Sequence, residues 1–451
     1  MERIVSNIEL KVKVDSRQIL SIAMPITLAI IIPQINMLVN SVFLGHLSQE
    51  ALGNAGITAI FYLIFAVAGF GLNTSMQSVF SGYAGQGKPE FFKTVLSQGM
   101  RISLILAFIF ILFTWFVAPM IFKQISNQTA YPMEMSFLKI RIMGLPFLFL
   151  FQMGNAFLIA SLNSRYLMIG FICEALFNIL FDYLLIFGKH GFPVMGFNGA
   201  AVASVLSECV GMIVVFMVIR FSGLKRTYNL LSSFKYNAAI SKEILKVAIP
   251  LILQFIISLS TWLIFFLLIE TRGPIAKAIS NTMRIVFGLA GVFIWAFAGT
   301  TNTMVSNLIG QGKSEFVIPV IKKISYWSLG FCSIIIILLN VFPTTFFNLF
   351  GQDNSFLVEG IPVIRMVSLG LILMSIANIW LNAVTGTGKT RINLLIEIIA
   401  ILMYLIYTWY FMKYHYISLA IAWSNEFIYW GTIFTLAFVY LNSGKWKNKA
   451  S

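Results

Sequence analysis

The chain has 451 residues, 59% of them hydrophobic and only 10% charged, where a soluble globular domain carries about 45–50% apolar and about 25% charged residues. That balance excludes a water-soluble fold and leaves an integral membrane protein. The net charge of +15 has no soluble domain on which to gather, so it points to basic cytoplasmic loops rather than to nucleic acid.

In chain order, residues 1–18 form a polar, mixed-charge segment that runs straight into the first apolar stretch, so no cleavable signal peptide is expected. At about 20 residues per crossing, apolar runs between polar breaks predict twelve membrane spans. They cover 19–44, 54–80, 95–122, 136–162, 166–188, 197–221, 244–270, 279–308, 320–349, 357–384, 392–413 and 417–442. The longest connection, about 222–243, carries Lys225, Arg226, Lys235 and Lys242 and splits the chain nearly in half. The expected organisation is an all-α membrane protein: a cytoplasmic segment 1–18, a six-helix bundle 19–222, a cytoplasmic linker 223–243, a second six-helix bundle 244–442 and a cytoplasmic tail 443–451. An even span count puts both termini on one side, where 22 of the 31 Lys and Arg residues fall. That bias predicts cytoplasmic termini.

The halves read as parallel repeats. Gly85–Lys88 (GQGK) recurs at Gly310–Lys313, each followed by x-Glu-Phe (Glu90-Phe91 and Glu315-Phe316). The same shift of 225 residues takes Ala23-Met24-Pro25 onto Ala248-Ile249-Pro250, and Ala51 onto Ala276. Repeats of this kind build one broad class of secondary transporter, with sites near the bilayer midplane.

Charged groups among apolar spans are costly and mark candidate sites. Six acids fall there: Glu174, Asp182, Glu208, Glu270, Glu397 and Glu426. Glu174, Asn178 and Asp182 are spaced i, i+4, i+8, which stacks them on one helix face; Asn155 and Ser204 on neighbouring spans are candidate neutral ligands. Glu270 ends the seventh span and Arg284 begins the eighth, so the two are a candidate external ion pair, read as a clamp or a gate. Glu208 and Glu426 occupy similar places in the sixth and twelfth spans, as cleft-lining or gating groups or as glutamates bonded across helices. Glu397, near the start of the eleventh span, is expected at the cytoplasmic interface.

The A-x-P openings at Pro25 and Pro250, Gly45, Ala51, the GQGK pair, and the run from Asn178 through Phe181-Asp182-Tyr183 to Gly196-Phe197-Asn198-Gly199 together resemble the multidrug and toxic compound extrusion (MATE) family. The resemblance covers nearly the whole chain. It implies two six-helix bundles forming a V around a central cleft, and export of organic, usually cationic, compounds against Na⁺ or H⁺. It also implies that Asn155, Asn178, Asp182 and Ser204 fall in a polar cavity of the N-terminal bundle, where the family pairs an acid on the fifth helix with one on the first. Here the first-helix position is Asn40, which leaves one charge among neutral acceptors where two carboxylates would favour holding a proton. The family's alternative C-terminal acids map to Ser258 and Ile376, neither of which carries charge.

The expected coupling-ion residues are therefore Asp182, Asn178, Asn155, Asn40, Ser204 and Glu174, with Glu270, Arg284, Glu208 and Glu426 at the substrate cleft or gate. No cofactor is expected beyond the coupling ion, Na⁺ or H⁺, and no metal beyond Na⁺ at Asp182. Expected partners are the lipid bilayer and small amphipathic substrates, with no nucleic acid, for a monomer in the bacterial inner membrane. The alternatives are a lipid-linked precursor flippase of the same wider superfamily, which would want a basic cleft from Arg141, Arg284 and Arg365, and a membrane-embedded transferase, for which no loop with clustered acids or His is present.

Other signals are weaker. Gly386-Thr387-Gly388-Lys389-Thr390 lacks the first glycine of a phosphate-binding loop, Ala383 standing there, and reads as a cytoplasmic turn. His46, His190 and His415 sit at loops or helix ends. Cys173, Cys209 and Cys332 lie in apolar runs and are expected reduced and buried. Pro25 and Pro33 fall inside the first span, as a fixed kink or a moving one. Some Met and Phe are expected to line an adaptable cleft.

Overall fold

The computed structural model describes residues 10–47, 49–126, 130–232, 234–348, 354–411 and 418–447. Among these, twelve long helical stretches follow one another. They are α1 (Ser16–Leu47), α2 (Gln49–Gly85), α3 (Phe92–Phe116), α4 (Ala130–Ala160, tightened at Ile142–Gly144), α5 (Leu167–Phe187) and α6 (Phe197–Phe221). Then come α7 (Ala238–Glu270), α8 (Pro274–Gly310), α9 (Val317–Val341), α10 (Asn354–Gly386), α11 (Thr390–Trp409) and α12 (Asn425–Asn442). Eleven are long and apolar enough to cross a membrane. The exception is α12, whose eighteen residues include Asn425, Glu426 and Asn442 at its ends. The chain is a multi-pass, all-helical membrane protein.

Three spans are shorter than the hydrophobic runs imply, and local breaks explain them. Pro119 opens a separate helix, Ala118–Ile125, just past α3, and Pro343 opens Pro343–Asn348 past α9. Proline lacks the amide that would continue the preceding helix but suits a first turn. Before α12, Leu419–Ala422 is a separate turn capped by Ser418. Pro25, Pro33, Pro250 and Pro362 instead lie inside continuous helices, as membrane helices allow where neighbours satisfy the freed carbonyls.

By packing, the chain divides into two units: Met1–Lys11 with Met24–Ile252, and Val12–Ala23 with Leu253–Ser451. The division falls inside α1 and α7, and the 223–243 connection lies within the first unit. There it is held down: Gln98 Nε2 donates to Lys235 O at 2.9 Å and an Arg101 nitrogen to Phe234 O at 2.6 Å. Tyr228 packs on Phe92 and Phe157, and burial pushes its phenol up to about 12. At the matching place in the second unit, the amide of Val12 donates to Asn307 Oδ1 at 3.1 Å and Trp327 Nε1 to Ser16 Oγ at 3.2 Å.

The repeat is visible inside each unit. In the first, α4 packs on α2, α3 and α6, and α6 on α5; in the second, α10 packs on α8, α9 and α12, and α12 on α11. The GQGK turns match in detail. Gly87 (φ +69°) and Gly312 (φ +75°) take the left-handed conformation that favours glycine, and Lys88 and Lys313 each donate an amide at 3.0 Å to the carbonyl of Tyr83 and Leu308. The Gly388 turn (φ +74°) is of the same make: its amide donates to Thr385 O at 2.9 Å, so it does not face outward as in a phosphate cradle.

Rows of exposed apolar side chains, such as Leu104, Ile105, Phe108 and Leu112 on α3 and Ile334, Ile337 and Leu338 on α9, suit contact with lipid. Cys332 is buried, whereas Cys173 and Cys209 are only half-buried because α5 and α6 turn those positions partly outward; all three are free thiols. His46 and His190 are exposed, and His415 lies outside the described residues.

Candidate functional site

The helix α5 is apolar except along the face of Glu174, Asn178 and Asp182. The structure turns the last two inward, each only 1% exposed. Asn178 is a junction of three helices: its Oδ1 accepts from Asn40 Nδ2 of α1 at 3.5 Å, and its Nδ2 donates to Ser207 Oγ of α6 at 3.2 Å. Asn40 Oδ1 and both Asp182 carboxylate oxygens are buried without a hydrogen-bond partner among the described residues. Buried carboxylate oxygens that receive no hydrogen bond suit a small cation or a proton.

Not all the expected members join it. Ser204 is half-buried and supplies its backbone carbonyl, which accepts from Ser207 Oγ at 2.9 Å; the hydroxyl that meets Asn178 is that of Ser207, one turn on and on the same face. Asn155 lies elsewhere. Its neighbour Gly154 packs against Val215 and Ile219 of α6, two turns or more beyond Ser207 and away from Asp182. Asn36, one turn before Asn40, carries another buried oxygen without a partner among the described residues; its i, i+4 spacing from Asn40 is the signal for it.

Glu174 sits one turn along α5 from Asn178, against Gly211, where a Cβ would come within 3.2 Å of its Oε2. It is within electrostatic reach of Glu208 and Arg141. Those two form a buried ion pair rather than separate cleft and rim charges. The Arg141 nitrogens donate to Glu208 Oε2 at 2.9 Å and Oε1 at 2.6 Å, with side chains 15% and 5% exposed. Tyr62 Oη adds a third hydrogen bond at 3.0 Å, and the guanidinium lies 3.7 Å from the Tyr62 ring centre. Gly144 makes the room: a Cβ there would stand 2.1 Å from Glu208 Oε2. Glu208 is thus a neutralised partner, not a free counter-charge. The sequence signal for the pair is an arginine inside a span, which requires an acid nearby.

In the second unit Glu426 likewise faces a glycine of the fourth helix of its half, Gly370, and accepts from Trp430 Nε1 at 3.0 Å. The place of Arg141, three residues before the glycine, is Val367 there, so the pair is not duplicated. Glu397 does not reach the interface. It is 1% exposed and accepts from Ser258 Oγ, Tyr429 Oη and, at 3.3 Å, Gln254 Nε2. The Ser258 position, expected without charge, therefore meets a carboxylate supplied by α11, because the face carrying Asn393, Glu397 and Tyr404 is turned toward α7 and α12. Arg284 and Arg365 are exposed. The side chain of Glu270 lies outside the described residues, so its pairing with Arg284 does too.

The family model MatE matches residues 25–184 and again 250–410. The chain belongs to the MATE family. The two matches begin at Pro25 and Pro250, the spacing of the internal repeat, and MATE proteins are transporters rather than enzymes. Among curated relatives, a probable multidrug resistance protein NorM of Thermotoga maritima is 24% identical over 442 residues, 96% of this chain and 94% of that one. Among solved structures, an outward-facing conformation of a multidrug resistance MATE family transporter superposes with a TM-score of 0.85 at 17% identity, covering 99% and 98% of the two chains. A MOP superfamily transporter from Pyrococcus furiosus, described as having a binding pocket of reverse polarity that suggests a different function, gives 0.83 at 17% identity, covering 98% and 96%. These structural likenesses establish the shared fold.

Proposed function

We propose that this MATE protein is a secondary active multidrug exporter, antiporting amphipathic, cationic organic compounds against Na⁺ or H⁺ by alternating access between two six-helix bundles. The observation that carries the reading is Asp182: a buried carboxylate with no hydrogen-bond partner among the described residues, one turn from an asparagine that ties α1, α5 and α6 together. A bare charge among membrane helices costs about 3 kcal/mol by insertion scales, so occupation by Na⁺ or a proton changes the energy of this junction. Asn40, Asn178 and Ser207 would sense that change as repacking of α1 and α6 on α5. Substrate and ion need not touch; they need only favour different conformations. Both termini are assigned to the cytoplasm of a bacterial inner membrane, and the transporter to a monomer.

The flippase alternative needs a basic cleft for a phosphate headgroup. The Arg141–Glu208 pair lowers its appeal, since the most buried of the three arginines is already neutralised. The test is accumulation of a fluorescent cation in everted vesicles, with Na⁺ and pH gradients imposed separately. Accumulation under at least one gradient is expected; failure of both, with several cations, contradicts antiport.

A further inference from the structure

We propose that Glu397 is a proton-binding site of the second unit, built by Gln254 and Ser258 of α7, Asn393 of α11 and Tyr429 of α12. Its Oε1 accepts from Ser258 Oγ and Tyr429 Oη and its Oε2 from Gln254 Nε2, and all three partners are neutral. An ionised carboxylate without a counter-charge is costly inside a crossing helix, and the three donors, being neutral, bring none.

The cluster serves both protonation states. Hydroxyl groups donate to a carboxylate and, by turning, accept from a carboxylic acid. Ser258 and Tyr429 can therefore follow the arrival and departure of a proton with no movement of heavy atoms. Gln254 is held in register by Asn393, whose Nδ2 donates to Gln254 Oε1 at 2.6 Å. Asn393 Oδ1, one turn from Glu397, is buried and without a partner among the described residues, an acceptor left over for a proton donor. Both carboxylate oxygens already hold donors, so a proton is the cation that enters without opening the cluster.

Among the described residues, the titratable groups facing this site are few. Tyr429 comes from α12 and Tyr404 from α11, their rings 5.8 Å apart. Glu426 lies on α12 one turn before Tyr429. The α7 partners do not titrate, and α10 brings no titratable group to Glu397.

The role of this proton in a transport cycle rests on the antiporter reading; its binding does not. Infrared difference spectra of the full-length protein in lipid, between acid and alkaline pH, read the C=O stretch of protonated carboxyl groups. Glu397→Gln is expected to remove one component of that band, and Asp182→Asn a different one. Tyr429→Phe is expected to shift the Glu397 component to higher frequency, since a hydrogen bond to a carbonyl lowers its stretch. An unchanged band in folded Glu397→Gln protein overturns the proposal. Should that variant fail to fold, an unshifted band in Tyr429→Phe overturns it instead. Transport under an imposed pH gradient is measured on the same samples: its absence in the wild type contradicts proton antiport and leaves the infrared result standing.

Discussion

Breaking the Arg141–Glu208 pair has a magnitude that follows from its geometry. Glu208→Gln leaves a guanidinium charged inside the first unit with the Tyr62 ring, weaker amide contacts and the more distant Glu174 carboxylate. Removing one partner of a buried ion pair costs about 3–5 kcal/mol, and the cation–π contact retains at most about 2 kcal/mol. Arg141→Met strands the carboxylate at a similar cost. The double variant Arg141→Met/Glu208→Leu replaces both charges with apolar groups of similar size, which is often near neutral. A double-mutant cycle by equilibrium unfolding in mixed micelles, followed by Trp fluorescence, should therefore show a double variant far more stable than the sum of the singles. Gly144→Ala, whose Cβ would meet Glu208 Oε2 at 2.1 Å and an Arg141 nitrogen at 2.8 Å, should cost about 1–3 kcal/mol through overpacking. Additive single effects, or a Glu208→Gln variant within about 1 kcal/mol of wild type, would refute the reasoning behind those figures.

The turn between α8 and α9 makes Gly312→Ala destabilising by about 1–2 kcal/mol in the same assay, because φ is +75° there; wild-type stability would contradict it. Asn178→Ala removes the link between α1 and α6 and should lower export several-fold at unchanged membrane expression, so wild-type resistance of cells carrying it would count against the junction. A C-terminal alkaline phosphatase fusion should be inactive and a fluorescent-protein fusion bright, as cytoplasmic termini require; the opposite pattern would overturn the orientation.

The spans are legible in the sequence because a hydrophobic run of about 20 residues has few other uses, and the repeat because Gly87 and Gly312 each need a left-handed turn. Span ends are less so: Pro119 and Pro343 interrupt runs that hydropathy alone reads as continuous. Among site residues, the Asn178–Asp182 face follows from helical spacing on α5. Depth and azimuth between helices do not, which is why sequence reasoning groups Asn155 with Asp182 although it lies farther along the bundle. The same gap hides Glu397, whose distance from the end of α11 indicates an interface while its neighbours Ser258 and Tyr429 come from sequence-distant helices. Arg141 reads as an external charge because its partner is 67 residues away in sequence.

The most direct test of the account is Asp182→Asn, purified and reconstituted into proteoliposomes, with uptake of a fluorescent cation driven by whichever imposed gradient drives the wild type. Gradient-driven transport should be abolished while folding, judged by thermal unfolding, and membrane insertion are retained. Transport at the wild-type rate and with the same dependence on the gradient would contradict the claim that Asp182 couples ion to substrate.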